Sequence, residues 1–285
     1  MQKTLKKYFA FFALPTLIAF IIAFLVPFFM GLYLSFTQFT TVTDSKWVGF
    51  ANYIAAFAKN FRGDNEFLDA LWFTVKFTVV SMVTINVIAF TLAYLLTRPI
   101  KGRNLFRTVF FMPNLIGGIV LGWIWQLLIN AILEPLGFTI VSNASYGFWG
   151  LVFLMNWQLI GYMMIIYIAG IQNIPGDLID AAKVDGAGAF QRLRHVILPM
   201  VMPSITICLF LTLTNSFKLF DQNFALTAGL PGKQTSMLAL DIFQTFYNST
   251  NMQGVAQAKA VVFFIVVAGI SLAQLLFTRK REVES

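Results

Sequence analysis

Two parts of this 285-residue chain carry residue types and spacings that could do chemistry. The first is Ile174-Pro175-Gly176-Asp177-Leu178-Ile179-Asp180-Ala181-Ala182-Lys183-Val184-Asp185-Gly186-Ala187, followed by Phe190-Gln191-Arg192-Leu193-Arg194-His195-Val196-Ile197-Leu198-Pro199. Pro175 and the acidic Asp177 and Asp180 suit a helix start, where a fixed φ and negative charge are both favoured. Gly186 suits its end. The pattern predicts a short helix at about 177–186 with a compact face of small residues at Ala181 and Ala182. Two uses fit such a helix equally: docking into another protein's groove, or lying on a membrane as a solvated connector.

The second part is a set of polar and aromatic residues inside apolar runs: Asn86, Asn114, Gln126, Asn156, Gln158, Asn215, Lys218 and Asp221, with Trp123, Trp125, Trp157 and Tyr162. Polar groups are costly at such places and face a cavity or a partner helix. Amides that bond hydroxyls and flat rings suit a carbohydrate path; helix–helix hydrogen bonding accounts for any single Asn or Gln equally well. Lys218 and Asp221 are three apart and could pair across a helical turn, which favours structural or gating roles for them. Catalysis finds little support. Gly229-Leu230-Pro231-Gly232-Lys233-Gln234 has the wrong spacing for a phosphate-binding loop and lacks the hydroxyl residue after Lys. The single His195 and single Cys208 make neither a metal cage nor an internal disulfide. No catalytic residue and no metal ligand is assigned.

The elements that must position these residues are membrane spans. The chain is 58% hydrophobic and 11% charged, where a soluble domain carries about 25% charged residues. Disorder, a disulfide-stapled fold and a soluble nucleic-acid-binding domain are excluded. Charge-free runs at 8–43, 77–97, 108–133, 135–176, 195–217 and 260–278 can each hold one span of about 20 residues. The expectation is an all-α polytopic membrane protein with six transmembrane helices at about 9–36, 71–97, 105–130, 148–172, 200–227 and 257–278. The region 1–70 comprises the first helix and an outer loop, 71–278 the transmembrane core, and 279–285 a short tail. The first helix is too long for a cleavable signal and is expected to be retained. The aromatics of Trp47 to Tyr53 in the outer loop suit a short helix at the interface. Gly118-x-x-x-Gly122 permits close helix approach, within this bundle rather than as a dimer motif.

Charge sets the orientation. Lys3, Lys6, Lys7, Arg98, Lys101, Arg103, Arg107, Lys183, Arg192, Arg194, Arg279, Lys280 and Arg281 share one side, against Lys46, Lys59, Arg62 and Lys233 on the other. Basic loops stay in the cytoplasm, so both termini are expected inside. The net charge of +8 is then a topology signal, and no nucleic-acid partner is needed.

Asp180-Ala181-Ala182-x-x-x-Gly186, nine residues, then Val196-x-Leu198-Pro199 resembles the signature of binding-protein-dependent ABC importer permeases, whose usual form is Glu-Ala-Ala, three residues, Gly, nine residues, Ile-x-Leu-Pro. Asp180 for Glu and Val196 for Ile are the departures. Trp47-Val48-Gly49-Phe50-x-Asn52-Tyr53, Phe106-Arg107-Thr108-Val109-Phe110-Phe111-Met112-Pro113 and Phe217-Lys218-x-Phe220-Asp221 before Leu226-Thr227-x-Gly229-x-Pro231 are similar to the carbohydrate branch, the maltose and multiple-sugar permeases. The resemblance implies a type I ABC importer permease fold in a bacterial-type cell membrane. It implies a second homologous permease forming a heterodimer, two cytoplasmic ATPase subunits that bind ATP and Mg, and an extracytoplasmic sugar-binding protein. Asp180, Ala181, Ala182, Asp185, Gly186, Ala187, Leu198 and Pro199 would belong to the ATPase-coupling segment. Resemblance to the maltose permease points to Asn114, Gly118, Tyr162, Asn215 and Ser216 along the substrate path. The expected function is uptake of a sugar or short oligosaccharide by alternating access, with no cofactor in this chain. Alternatives are an importer permease for a glycerol-phosphate-like or other small solute, and a stand-alone channel or ion-coupled transporter.

Overall fold

The structure, a computed structural model, describes residues 13–41, 43–59, 63 and 65–279. Twelve helices follow one another among them: α1 (Ala13–Leu34), α2 (Ala51–Ala56), α3 (Glu66–Leu96), α4 (Arg103–Phe111), α5 (Gly118–Leu133), α6 (Ala144–Gln172), α7 (Gly176–Val184), α8 (Ala189–Met200), α9 (Met202–Phe217), α10 (Asp221–Leu226), α11 (Leu238–Asn248) and α12 (Gln253–Arg279). A two-stranded antiparallel ribbon, β1 (Thr37–Phe39) with β2 (Ser45–Trp47), follows α1. Helices α1, α3, α5 extended to Leu136, α6 and α12 are long and apolar enough to cross a membrane. A sixth crossing appears if α8 and α9, bent by 69° at Val201, form one span. Of the residues that set the expected orientation, Lys3, Lys6, Lys7, Arg62, Lys280 and Arg281 lie outside the described residues.

The described residues form two compact units, one from 1–65 with Ile242–Phe264, the other from Glu66–Asp241 with 265–285. In the first, the chain leaving α1 is held by a buried amide: Asn52 Nδ2 donates to the carbonyls of Ser35 (2.9 Å) and Thr37 (2.8 Å). Tyr53 Oη lies 2.7 Å from Ser35 Oγ. The Trp47–Tyr53 motif thus closes the ribbon onto the end of α1, and Gly49 turns the chain at φ +60°.

In the second unit α6 is the hub. Of its most apolar stretch 67% is buried, against 11% for α5. Leu151, Leu154, Met155, Met163, Met164 and Tyr167 of α6 pack with Phe73, Phe77, Ile85, Ala89 and Ala93 of α3. Lipid is as apolar as these side chains, so close fit and interhelical hydrogen bonds must hold the bundle. Both are present. A side chain at Gly161 would run into the backbone carbonyl of Phe110, and one at Gly122 would meet Ala225 Cβ at 2.5 Å. Tyr167 Oη donates to Asn86 Oδ1 (2.7 Å), whose Nδ2 donates to Thr212 Oγ1 (3.2 Å), tying α6, α3 and α9 together. Arg107 Nη2 donates to the Leu96 carbonyl (2.9 Å) at the open C-terminus of α3, a cation where the helix dipole is negative.

Two expected spans are corrected. The segment at about 105–130 is not one helix: α4 ends at Phe111, a 3-10 turn covers Met112–Leu115, and Ile116 and Gly117 are extended before α5 begins. Pro113 cannot donate to the ladder, which breaks the helix there. The segment at about 200–227 divides as well. Helix α9 starts after the bend that Pro199 and Pro203 impose around Val201, and it stops at Phe217; α10 resumes at Asp221.

Candidate functional site

The two breaks lie on either side of one cavity. Its volume is ≈ 360 Å³ and its lining is Asn114, Met155, Gln158, Leu159, Tyr162, Asn215, Lys218, Leu219, Phe220, Asp221 and Gln222. Asn114 comes from the 3-10 turn before α5, and Asn215 from the last turn of α9. Met155, Gln158, Leu159 and Tyr162 follow the i, i+3, i+4, i+7 spacing of one face of α6. Lys218 to Gln222 supply the second break. Unwound backbone in a membrane is tolerated where it faces a cavity or finds partners, and here the partners are side chains. Gln158 Nε2 donates to the Ile116 carbonyl (3.3 Å), and Gln222 Nε2 donates to Gln158 Oε1 (2.7 Å).

Chemically the lining offers four amides, one phenol, one ammonium and one carboxylate. Amides and a phenol both donate and accept, which matches a ligand rich in hydroxyls. Lys218 and Asp221 form no ion pair with each other, unlike Lys183–Asp180 and Lys233–Glu66. The expected helical turn between them is absent, because Lys218 ends α9 and Asp221 begins α10.

Of the residues expected along the path, Asn114, Tyr162 and Asn215 line this cavity. Gly118 and Ser216 do not. Gly118 leaves room for α10: a carbon there would sit 2.8 Å from Asp221 Cβ and 2.9 Å from Gln222 Cδ. Ser216 is fully buried, its Oγ enclosed without a hydrogen-bond partner. Gln126 donates to the Leu226 carbonyl (3.0 Å) and so serves a helix contact, while Asn156 donates to the Val152 carbonyl of its own helix (2.8 Å). Trp125 and Trp157 meet edge to face at 5.8 Å, outside the cavity. The sequence reading omitted Gln222 and did not select Gln158 from the polar inventory; the spacing of Gln158 with Tyr162 on one face of α6 was the available signal.

The second site is α7 and its turn into α8. Gly186 adopts φ +77°. Its N–H donates to the Lys183 carbonyl (3.0 Å) and the Ala187 N–H to the Ala182 carbonyl (2.9 Å), the paired bonds of a glycine-terminated helix. The Ala182–Gly186–Ala187 spacing is therefore the register of a C-terminal cap. Arg192 Nη1 donates to the Ala187 carbonyl and braces the turn. Ala182 is buried while Ala181 is exposed, so the two do not share the expected face. Asp180 accepts from Lys183 Nζ at 2.7 Å, Asp185 is exposed at the helix end, and Leu198 and Pro199 are half-buried at the end of α8. Val184 and Phe190 are 87% and 70% exposed, two apolar side chains projecting where α7 turns.

Comparison with known proteins gives consistent results. Residues 89–283 match the family model for binding-protein-dependent transport system inner membrane components. The chain is 45% identical, over 96% of its length and 94% of the relative's, to the probable starch degradation products transport system permease protein AmyD of Thermoanaerobacterium thermosulfurigenes. It is 31% identical, over 99% of both chains, to the multiple sugar-binding transport system permease protein MsmF of Streptococcus mutans. Among solved structures, a chain of a bacterial ABC transporter involved in import of the acidic polysaccharide alginate superposes with a TM-score of 0.81, at 21% identity and 98% coverage of both chains.

Proposed function

We propose that this chain, which belongs to the family of binding-protein-dependent transport system inner membrane components, is a membrane-spanning subunit of an ATP-driven importer for a sugar or short oligosaccharide. The observation that carries the reading is the amide-and-phenol cavity between two broken spans. The sugar-transport relatives support the same substrate class. Broken helices around a polar pocket are how alternating-access transporters hold a solute midway across the bilayer.

In this reading Asn114, Tyr162, Asn215 and the Gln158–Gln222 pair exchange hydrogen bonds with hydroxyls of the passing sugar. A second, homologous permease completes the path, and an extracytoplasmic binding protein delivers the sugar. Helix α7 is the coupling helix: its exposed end, with Val184 and Phe190, seats on one of two cytoplasmic ATPase subunits, which hold ATP and Mg. Both termini lie in the cytoplasm with the basic loops. The sole covalent chemistry, ATP hydrolysis, belongs to the partner chains.

Lys218 on the cavity wall favours one second reading, an anionic solute such as an acidic sugar or a glycerol phosphate. Uptake of radiolabelled maltooligosaccharides by the complex in proteoliposomes, competed with neutral sugars and with glycerol phosphate, separates the two. Competition by neutral oligosaccharides is the expected result. Competition by the phosphate compound alone overturns the sugar reading.

A further inference from the structure

Helix α2 is folded inside out for a segment in water. Its buried side is the polar one: Asn52 is 7% exposed, occupied by the carbonyls of Ser35 and Thr37, with Ala56 beside it at 3%. Its outward side is apolar. Phe50, Ile54 and Phe57, spaced four and three apart and so on one helical face, are 69%, 73% and 44% exposed. Trp47 and Tyr33, 64% and 52% exposed, extend this face across the ribbon. Their rings connect through Phe36, which stacks on Trp47 at 5.4 Å and meets Phe50 edge to face at 5.4 Å. Lys46 and Lys59, both exposed, flank it.

We propose that this face is a membrane anchor: Tyr33, Trp47, Phe50, Ile54 and Phe57 lie in the phospholipid headgroup layer at the Leu34 end of α1. Two observations select lipid as the occupant. The patch adjoins α1, a span exposed along nearly its whole length, through Tyr33 near the end of that helix, whose ring lies 6.0 Å from that of Trp47. Its composition, Trp and Tyr with flanking Lys, is that of the belt at a bilayer surface, where rings sit among headgroups and ammonium groups reach phosphates. The core of a protein–protein interface shares the aromatics but is depleted of lysine. The Asn52 clamp gives the anchor its purpose, because it fixes α2 to the end of α1 and thereby sets the depth of that span. The clamp is braced by the start of α12: a side chain at Gly254 would collide with the Thr37 carbonyl and the Asn52 amide.

The test places a nitroxide at Ile54→Cys, and separately at Trp47→Cys, in a Cys208→Ala background. The full chain, with the subunits that purify with it, is reconstituted in nanodiscs of phosphatidylcholine and phosphatidylglycerol. Collision with oxygen should exceed collision with a water-soluble nickel chelate several-fold at both sites, with a depth at the headgroup boundary. Ready access of nickel would place the face in water and overturn the proposal. Shielding from both reagents would mean that a protein covers it, the second permease or the binding protein, and would overturn it equally. Lys59→Cys at the rim should take up nickel in the same samples, which verifies the reagent.

Discussion

The contact between α5 and α10 offers a quantitative test of how the cavity wall is held. A carbon added at Gly122 would lie 2.5 Å from Ala225 Cβ, 3.2 Å from the Gln222 carbonyl oxygen and 3.3 Å from the Leu226 nitrogen. Carbon atoms rest at about 3.5–4.0 Å, so Gly122→Ala must drive the helices apart by about 1 Å. One turn along, Gln126 donates to the Leu226 carbonyl at 3.0 Å, and the same displacement takes it past the reach of a hydrogen bond. Overpacking costs about 1–3 kcal/mol and the lost interhelical bond about 0.6 kcal/mol. Gly122→Ala should therefore destabilise by about 2–4 kcal/mol. Ala225→Gly removes the colliding carbon at the cost of a helical glycine, about 1 kcal/mol. The double variant should sit only about 1–2 kcal/mol below the wild type, where simple addition gives about 3–5, so the cycle should show a favourable coupling of roughly 2 kcal/mol. The assay is equilibrium unfolding in mixed micelles with increasing dodecyl sulfate. A double variant as unstable as the sum of the single ones would refute the reasoning. Because α10 carries Asp221 and Gln222 to the cavity, Gly122→Ala should also raise the KM for uptake, and the double variant should restore it.

Three further outcomes follow from the geometry. Gly186 at φ +77° makes any other residue costly there, by about 1–2 kcal/mol for a side chain; Gly186→Ala should weaken ATPase pull-down and Gly186→Pro abolish it and uptake with the bundle still folded, and wild-type pull-down by the proline variant would count against the coupling role. Asn86→Leu removes the bonds to Tyr167 and Thr212 and should cost about 1 kcal/mol of bundle stability in the same micelle assay, at about 0.6 kcal/mol per interhelical bond, with uptake KM unchanged; a raised KM would place Asn86 on the path. Gln158→Leu orphans the Ile116 carbonyl and the Gln222 amide at the cavity and should lower uptake through KM as well as maximal rate, whereas Gln158→Glu, which still accepts from Gln222, should recover part of the loss.

Much of this was legible in the sequence, for reasons that can be named. Charge-free runs located the crossings, because the cost of charge in lipid writes itself into composition. The short helix before Gly186 was legible because a glycine is a geometric requirement at such a helix end, so its distance from Ala182 is fixed. The break at Pro113 was visible as a proline yet assigned to the interior of a span. The break at 218–220 was not visible at all, since Lys218-Leu219-Phe220 contains neither proline nor glycine. Gln222 was missed for that reason: its place on the cavity depends on a helix stopping and restarting. The close approach of Gly118 to Asp221 and Gln222 of α10 was not visible, because it joins residues about a hundred positions apart. The ribbon at 37–47 is only three residues per strand, too short for any alternation to register.

The 69° bend at Val201 makes α8 and α9 a crank. One arm ends beside α7; the other carries Asn215, fourteen residues beyond the corner and so about 21 Å away at 1.5 Å per residue. Rotating such an arm by about 10° sweeps its tip through roughly 4 Å, comparable to the width of a hydroxyl-bearing ring edge. Under the coupling role proposed for α7, lever length alone would gear a modest push on that helix into a stroke large enough to change the walls of the cavity.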